Sequence, residues 1–466
     1  MMPESGRFDG KERKEHMEET RELARYVTEL RYEDLTPNAI EMAKKCVLDF
    51  LGCCIGGSGE RPAQIMRHVL LTENPAAGNV TVFGREPVQT SVLNAAACNG
   101  TAAHALDMDD VVNACYGHPG PVVIPAALAV AERTGASGKD LITAIVAGYE
   151  VMVRVAEAVL PDSYYYWHTT STSGTFGAAA AAGKLLGLDT DQMVHCFGSA
   201  GTQAAGLFEF LRDGANSKTL HAGKAAYNGV LAAYLSKEGF TAAQKILEGE
   251  KGFCRAMMKE PRIERITEGL GKSFQIEETS FKPYACCRWI HALISGALLL
   301  REEHPIKPEE IRSISLSAYP TALDITDNNA PKTVYGCKFS MQYCVAAALL
   351  FGEVGTEAFC EEHIQNAEII RLMSLTSTRA VKISDDAAEV NYSEIEIEVR
   401  DGTRYQKTVR YAPGDPKNPM SFEDMCRKFS GLVGKACGEE QKKALIQLVE
   451  TLETAPDVAM ALAECG

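Results

Sequence analysis

The 466-residue sequence has no GxGxxG fingerprint behind a strand, no GxxxxGKS/T loop, no HExxH pair and no CxxC spacing. The first two cradle phosphates on backbone amides, and the last two hold zinc or iron–sulfur centres, so nucleotide, flavin and structural-metal chemistry find no support. The adjacent pairs Cys53-Cys54 and Cys286-Cys287 have the wrong spacing for a metal cluster. The SGTFG stretch at 173–177 is not the GxSxG elbow of a serine hydrolase. No cofactor and no metal are therefore expected. An excess of positive charge is also missing. Against 62 Asp and Glu stand 47 Lys and Arg, a formal charge of −15, which speaks against nucleic acid or an anionic membrane as a partner. The first twenty residues are polar and charged, unlike a secretory signal, and no apolar run reaches the ~20 residues of a lipid span. The 15 cysteines, odd in number and set in apolar stretches, read as small buried hydrophobes in a reducing compartment, so a cytoplasmic location is expected.

What is present is ordinary folded composition, 46% hydrophobic and 23% charged, at about three times the usual ~150-residue domain. Residues 1–20 read as a flexible leader. From Arg21 the apolar spacing is helical. Thr36-Pro37 marks a helix start, and Gly56-Gly57 its end. Between about 120 and 235, runs of Ala and Gly make helices apolar on all sides, as expected of a core in which helices approach closely. The texture changes near 270. IRSISLSAYP alternates, Ala380–Ile383 is a short strand candidate, and SEIEIEVRDGTRYQKTVRY predicts a hairpin turning at Asp401-Gly402. After the turn-rich YAPGDPKNPM the chain returns to helix. The expected fold is mainly α, with a large all-helical domain formed by 21–269 and 412–466 and a smaller α+β lid domain at 270–411.

Four segments set polar groups among Gly, Ala and apolar residues. NGTAAHALDMDD carries Asp107, Asp109 and Asp110 past a helix end, where the dipole disfavours them, and leads to His118 in a GHPG turn. YYYWHTTSTSGTFG places His168 before a helix N-terminus, which suits a substrate carboxylate and favours a neutral imidazole. In NSKTLHAGKAAYNG, Lys218, His221 and Lys224 recur every three residues, roughly on one helical face. FKPYACCRWIH adds Lys282, Arg288 and His291, with Tyr284 and Trp289 as walls. Cations held in such loops of an acidic protein fit a small polycarboxylate or phosphate. A non-catalytic helical scaffold is the competing expectation, told apart by whether these segments converge in space.

These segments, with DFLGCCIGGS, FSMQY and PGDPKNPM, resemble the MmgE/PrpD family from about residue 21 to 455. That family includes 2-methylcitrate dehydratase, cis-aconitate decarboxylase and iminodisuccinate epimerase. The resemblance implies a helical domain with an α+β lid, a site between the two, no cofactor, a homodimer and a polycarboxylate substrate. It implies Asp107, His118, His168, Lys218, Lys282 and Tyr343 as catalytic residues. Arg288, His291, His221 and Asp110 are expected to bind substrate, with His118 or His168 as acid or base. The decarboxylase pattern has Thr where this sequence has Val111, and one residue less between the acidic run and the histidine. ACCRWIH also departs from the dehydratase pattern around the lysine. Dehydration of a citrate-like or 2-methylcitrate-like acid is the leading expectation, with epimerisation or decarboxylation as alternatives.

Overall fold

The computed structural model describes residues 18–75, 77–381 and 392–465. Most of the expected leader, 1–17, lies outside the described residues. Its last two residues already belong to a helix, Glu19–Glu29, anchored by the fully buried Leu23, Ala24 and Val27.

The molecule is mainly helical. Helix Pro37–Gly57 begins where its sequence says it should. Thr36 Oγ1 accepts from Ala39 N at 3.0 Å, and proline holds the first helical position, where no amide hydrogen is needed. At the centre lies helix Thr169–Leu185, buried from Thr169 through Gly183. Around it stand Gly120–Thr134, Gly138–Glu157 and Ser217–Lys237, and Val92–Ala103 packs against the first and last of these. Small residues let these axes come together. A Cβ on Gly100 would lie 2.7 Å from the Pro121 carbonyl oxygen and 3.0 Å from Gly223 Cα. One on Gly223 would overlap Thr101 Oγ1 and the Ala97 carbonyl oxygen. Gly223→Ala is therefore expected to destabilise the fold by about 1–3 kcal/mol, seen as a lower urea midpoint. An unchanged midpoint would mean that the two helices can separate freely.

The smaller unit is built on a four-stranded sheet in the order Thr376–Ala380, Ile311–Ala318, Ser393–Val399, Arg404–Val409. The first pair is parallel and the others antiparallel. The strand expected at 380–383 runs as Thr376–Ala380, and residues 382–383 lie outside the described residues. Alternation in SEIEIEV buries Ile395, Ile397 and Val399 toward helix His291–Glu303, while Glu398 pairs with Arg312 and Arg404. Gly402, at φ +87°, supplies the left-handed position of the hairpin.

A short strand pair joins the two units. Val111–Val112 pairs antiparallel with Thr279–Ser280, joining the strand after the acidic run to the strand before Lys282. The tail returns to the first unit. Helix Phe422–Val433 lies on Pro37–Gly57, Lys428 pairs with Asp49, and Val458 N donates to the Ala136 carbonyl at 2.9 Å. Among the described residues no helix is long and apolar enough to cross a membrane.

Candidate active site

Helix Val92–Ala103 runs out at His104, and the following loop folds its acids into the protein. Asp107 takes the left-handed backbone region, φ +60°, which a residue with a Cβ adopts at some cost. That twist sets its carboxylate between two ammonium groups. Oδ1 accepts from Lys218 Nζ at 2.8 Å and from Lys282 Nζ at 2.9 Å, and Lys282 also donates to the Asp107 carbonyl at 3.0 Å. Burial alone would raise the Asp107 pKa, but Lys218 and Lys282 outweigh it and hold the carboxyl well below its usual range. Burial likewise works against the Lys218 charge, yet Asp107 and Asp109 raise its pKa above the ordinary value. A third lysine, Lys338, donates to the Leu106 carbonyl at 2.7 Å.

Beside this triplet lies a cluster of imidazoles. Asp109 Oδ2 accepts from His104 Nδ1 at 2.8 Å and lies 3.0 Å from His118 Nδ1. His118 Nδ1 donates to the Asp110 carbonyl at 2.8 Å. A carbonyl oxygen cannot donate, so the hydrogen of neutral His118 is on Nδ1 and its Nε2 carries a lone pair. His168 stacks on His104 with centroids 6.0 Å apart, and its Nδ1 lies 3.1 Å from His221 Nδ1. Phe208 and Phe210 wall this side. Burial pushes His118 and His221 down to about 4, and it pushes His168 well below the usual imidazole range. Near neutral pH these three rings are uncharged. The unfolded chain takes up protons on them near pH 6.5, and the folded protein refuses them until about pH 4 at His118 and His221 and well below 6.5 at His168. Their contribution to stability is thus full above about pH 6.5 and declines toward pH 4, whereas the carboxyl of Asp110, raised to about 8, contributes with the opposite slope. The histidine part is read as the pH dependence of the urea-midpoint difference between wild type and His221→Gln, and a pH-independent difference would contradict the neutral cluster.

The four sequence segments therefore converge, unlike a scaffold with scattered polar groups. Asp107, His118, His168, Lys218, His221 and Lys282 share one buried neighbourhood. Other expected residues are engaged within the protein, though Arg288 Nε and Nη1 and His291 Nδ1 are buried without a partner among the described residues. Tyr343, expected as catalytic, donates to the Ala358 carbonyl at 2.7 Å inside the smaller unit, because its helix is buried there along most of its length. Arg288, expected to bind substrate, is drawn instead to Asp415 at 3.2 Å. His291 Nε2 donates to the Cys286 carbonyl at 3.2 Å. Asp110 turns inward, accepting from Tyr149 at 2.6 Å and Gly120 N at 2.8 Å, and burial with the nearby Asp49 raises it to about 8. Lys224, in step with Lys218 and His221, is exposed and lies over the Tyr227 ring. Burial pushes the Cys287 thiol up to about 12, and no cysteine is paired in a disulfide.

Sequence reasoning misses His104 and Lys338 as site residues, and it names Asp109 with its neighbours but gives it no role. The His104-to-Asp109 spacing is one available signal; Lys338 gives none, since its helix reaches the acidic loop only through tertiary folding. The arrangement can bind anions at its lysines and accept a proton at a neutral imidazole. His104, His118 and His168 also offer nitrogens within 4.8 Å of one another, close enough to share a metal ion.

Comparison with known proteins agrees with this architecture. The model of the MmgE/PrpD N-terminal domain matches residues 21–266, and that of the MmgE/PrpD C-terminal domain matches 284–454. A cis-aconitate decarboxylase-like protein of Aspergillus oryzae is 28% identical over 95% of this chain and 96% of its own length. Cis-aconitate decarboxylase of Aspergillus terreus is 26% identical over 94% of each chain. The human cis-aconitate decarboxylase is 25% identical over 95% of this chain and 93% of its own. With both halves matched, the chain belongs to the MmgE/PrpD family.

Proposed function

We propose that this cluster is the active site of a lyase that dehydrates a citrate-like or 2-methylcitrate-like polycarboxylate, by proton transfer at a carbon beside a carboxylate and without metal or organic cofactor. The protein is an enzyme of the lyase type, as its relatives' names support. The observation that carries the finer reading is the neutral His118, its Nδ1 committed to Asp109 and the Asp110 carbonyl, close to three buried lysines. Formally, Lys218, Lys282 and Lys338 exceed Asp107 and Asp109 by one positive charge, which attracts a polyanion. The lysines orient substrate carboxylates and stabilise the charge that spreads onto one of them when the neighbouring C–H is broken. His118 Nε2 takes that proton. The C–H electron pair becomes the C=C bond, the C–O bond breaks, and the departing hydroxide collects a proton within the histidine cluster to leave as water.

Decarboxylation is the second reading, favoured by the names of the relatives. There a carbon must receive a proton as CO₂ departs. A histidine held near 4 has none to give at neutral pH until bound carboxylates raise it. Val111 in place of threonine points the same way. The enzyme is proposed to act as a cytoplasmic homodimer; the exposed Tyr165, Tyr166 and Leu207, neighbours through the Phe208 N to Tyr166 O bond, support an association surface.

The test is to incubate purified protein with 2-methylcitrate, citrate, cis-aconitate and iminodisuccinate and to follow products by NMR. Water loss from either of the first two supports the proposal. CO₂ loss from cis-aconitate, or epimerised iminodisuccinate alone, replaces it. Dialysis against EDTA is expected to leave turnover unchanged; loss restored by added zinc would move the chemistry to the three histidines.

A further inference from the structure

We infer that Tyr335 donates a hydrogen bond to the substrate oxygen on which negative charge develops, an inference that rests on the lyase reading above. Tyr335 belongs to the short helix Val334–Lys338, far in sequence from the acidic loop. Three contacts hold this helix at the site. Lys338 Nζ reaches the Leu106 carbonyl, one residue before Asp107. Cys287 N donates to the Lys338 carbonyl at 2.9 Å, joining the helix to the Lys282 loop. Lys218 Nζ lies 5.2 Å from the centroid of Phe339, and the Tyr335 ring rests on Phe339 with centroids 5.1 Å apart.

The hydroxyl at the end of that ring is buried and has no partner among the described residues. Tyr149 and Tyr343, also buried, each donate to an oxygen; Tyr26, the other tyrosine with a buried unpaired hydroxyl among the described residues, is on helix Glu19–Glu29 near Glu150 and Arg154 rather than the acidic loop. A buried phenol left unpaired weakens a fold, so the protein gains nothing from the Tyr335 hydroxyl unless something in the cleft accepts from it. It is within electrostatic reach of Asp107, Cys287 and Asp109, on a ring that rests on Phe339, the residue Lys218 also lies over. Burial first, and Asp107 next, push its pKa well above the ordinary phenol value. It therefore remains a donor across the working pH range. A donor fixed in advance on a helix tied to the lysine loops would do for an aci-carboxylate what an oxyanion hole does for a tetrahedral oxyanion.

Tyr335→Phe separates this role from a structural one. The variant removes one oxygen that stabilises nothing in the free protein, so its melting temperature is expected to equal or exceed that of the wild type. Its kcat is expected to fall about 10²–10³-fold on the substrate the wild type uses, with KM changed less than about 3-fold. A kcat close to that of the wild type would overturn the inference and leave the lyase reading standing. A fall in kcat with a matching fall in melting temperature would assign the hydroxyl a structural role and also overturn it. A wild-type enzyme with neither turnover nor α-proton exchange on any of the four polycarboxylates would remove both.

Discussion

Replacing His118 with glutamine lowers kcat/KM by about 10³-fold, within the 10²–10⁴ range of a general base, while the protein stays folded. Glutamine keeps a polar side chain beside Asp109 and the Asp110 carbonyl but has no titratable nitrogen in place of Nε2. The effect reaches the chemical step rather than binding, because the lysines that attract the substrate are unchanged. In the wild type, the acid limb of kcat/KM is expected near pH 4, where His118 protonates, and not near 6.5. Steady-state kinetics across pH 3.5–8 reads both. His168→Ala is the companion variant. If it loses more activity than His118→Gln, the base lies one ring away, on the pair formed with His221.

Asp107→Asn has the largest expected effect on stability. Its carboxylate is the shared anion for Lys218 and Lys282, both buried. Removing the charge leaves two ammonium groups facing each other in a dry site. Breaking a buried ion pair costs about 3–5 kcal/mol, and this change breaks two at once. Unfolding in urea, followed by the fluorescence of Trp167 and Trp289, should show a clearly lower midpoint. A polycarboxylate ligand should then stabilise the variant more than the wild type, because its carboxylates replace the lost charge. A midpoint equal to that of the wild type would mean that the lysines do not depend on Asp107.

The fold was largely legible in the sequence because its signals are local. Asp401-Gly402 between alternating strands is a hairpin wherever it occurs, and the Ala and Gly runs announced helices buried on every side. The site was legible where a residue sits in a polar segment inside apolar chain, as Asp107, His118, His168, Lys218 and Lys282 do. It was not legible where pairing across the chain decides. Arg288 and Tyr343 had the right chemistry, yet Asp415 lies 127 residues from the one, and the Ala358 carbonyl claims the other. Asp110 sits one residue from Asp109 and faces the opposite way, toward Tyr149. The φ +60° turn at Asp107, which nothing in the composition announces, accompanies the placing of its carboxylate between Lys218 and Lys282. Lys338 and Tyr335 arrive from the smaller unit, held through the Leu106 and Lys338 carbonyls.

Proton transfer at a carbon beside a carboxylate is the central claim, and solvent exchange tests it most directly. Wild-type enzyme and His118→Gln are incubated in D₂O with the polycarboxylate that the wild type converts, and the α-proton signal is followed by ¹H NMR. The wild type is expected to replace that proton with deuterium at least as fast as product forms, and exchange in His118→Gln to fall with kcat. Undiminished exchange in His118→Gln, or turnover by the wild type with the substrate α C–H bond left intact, would contradict the claim.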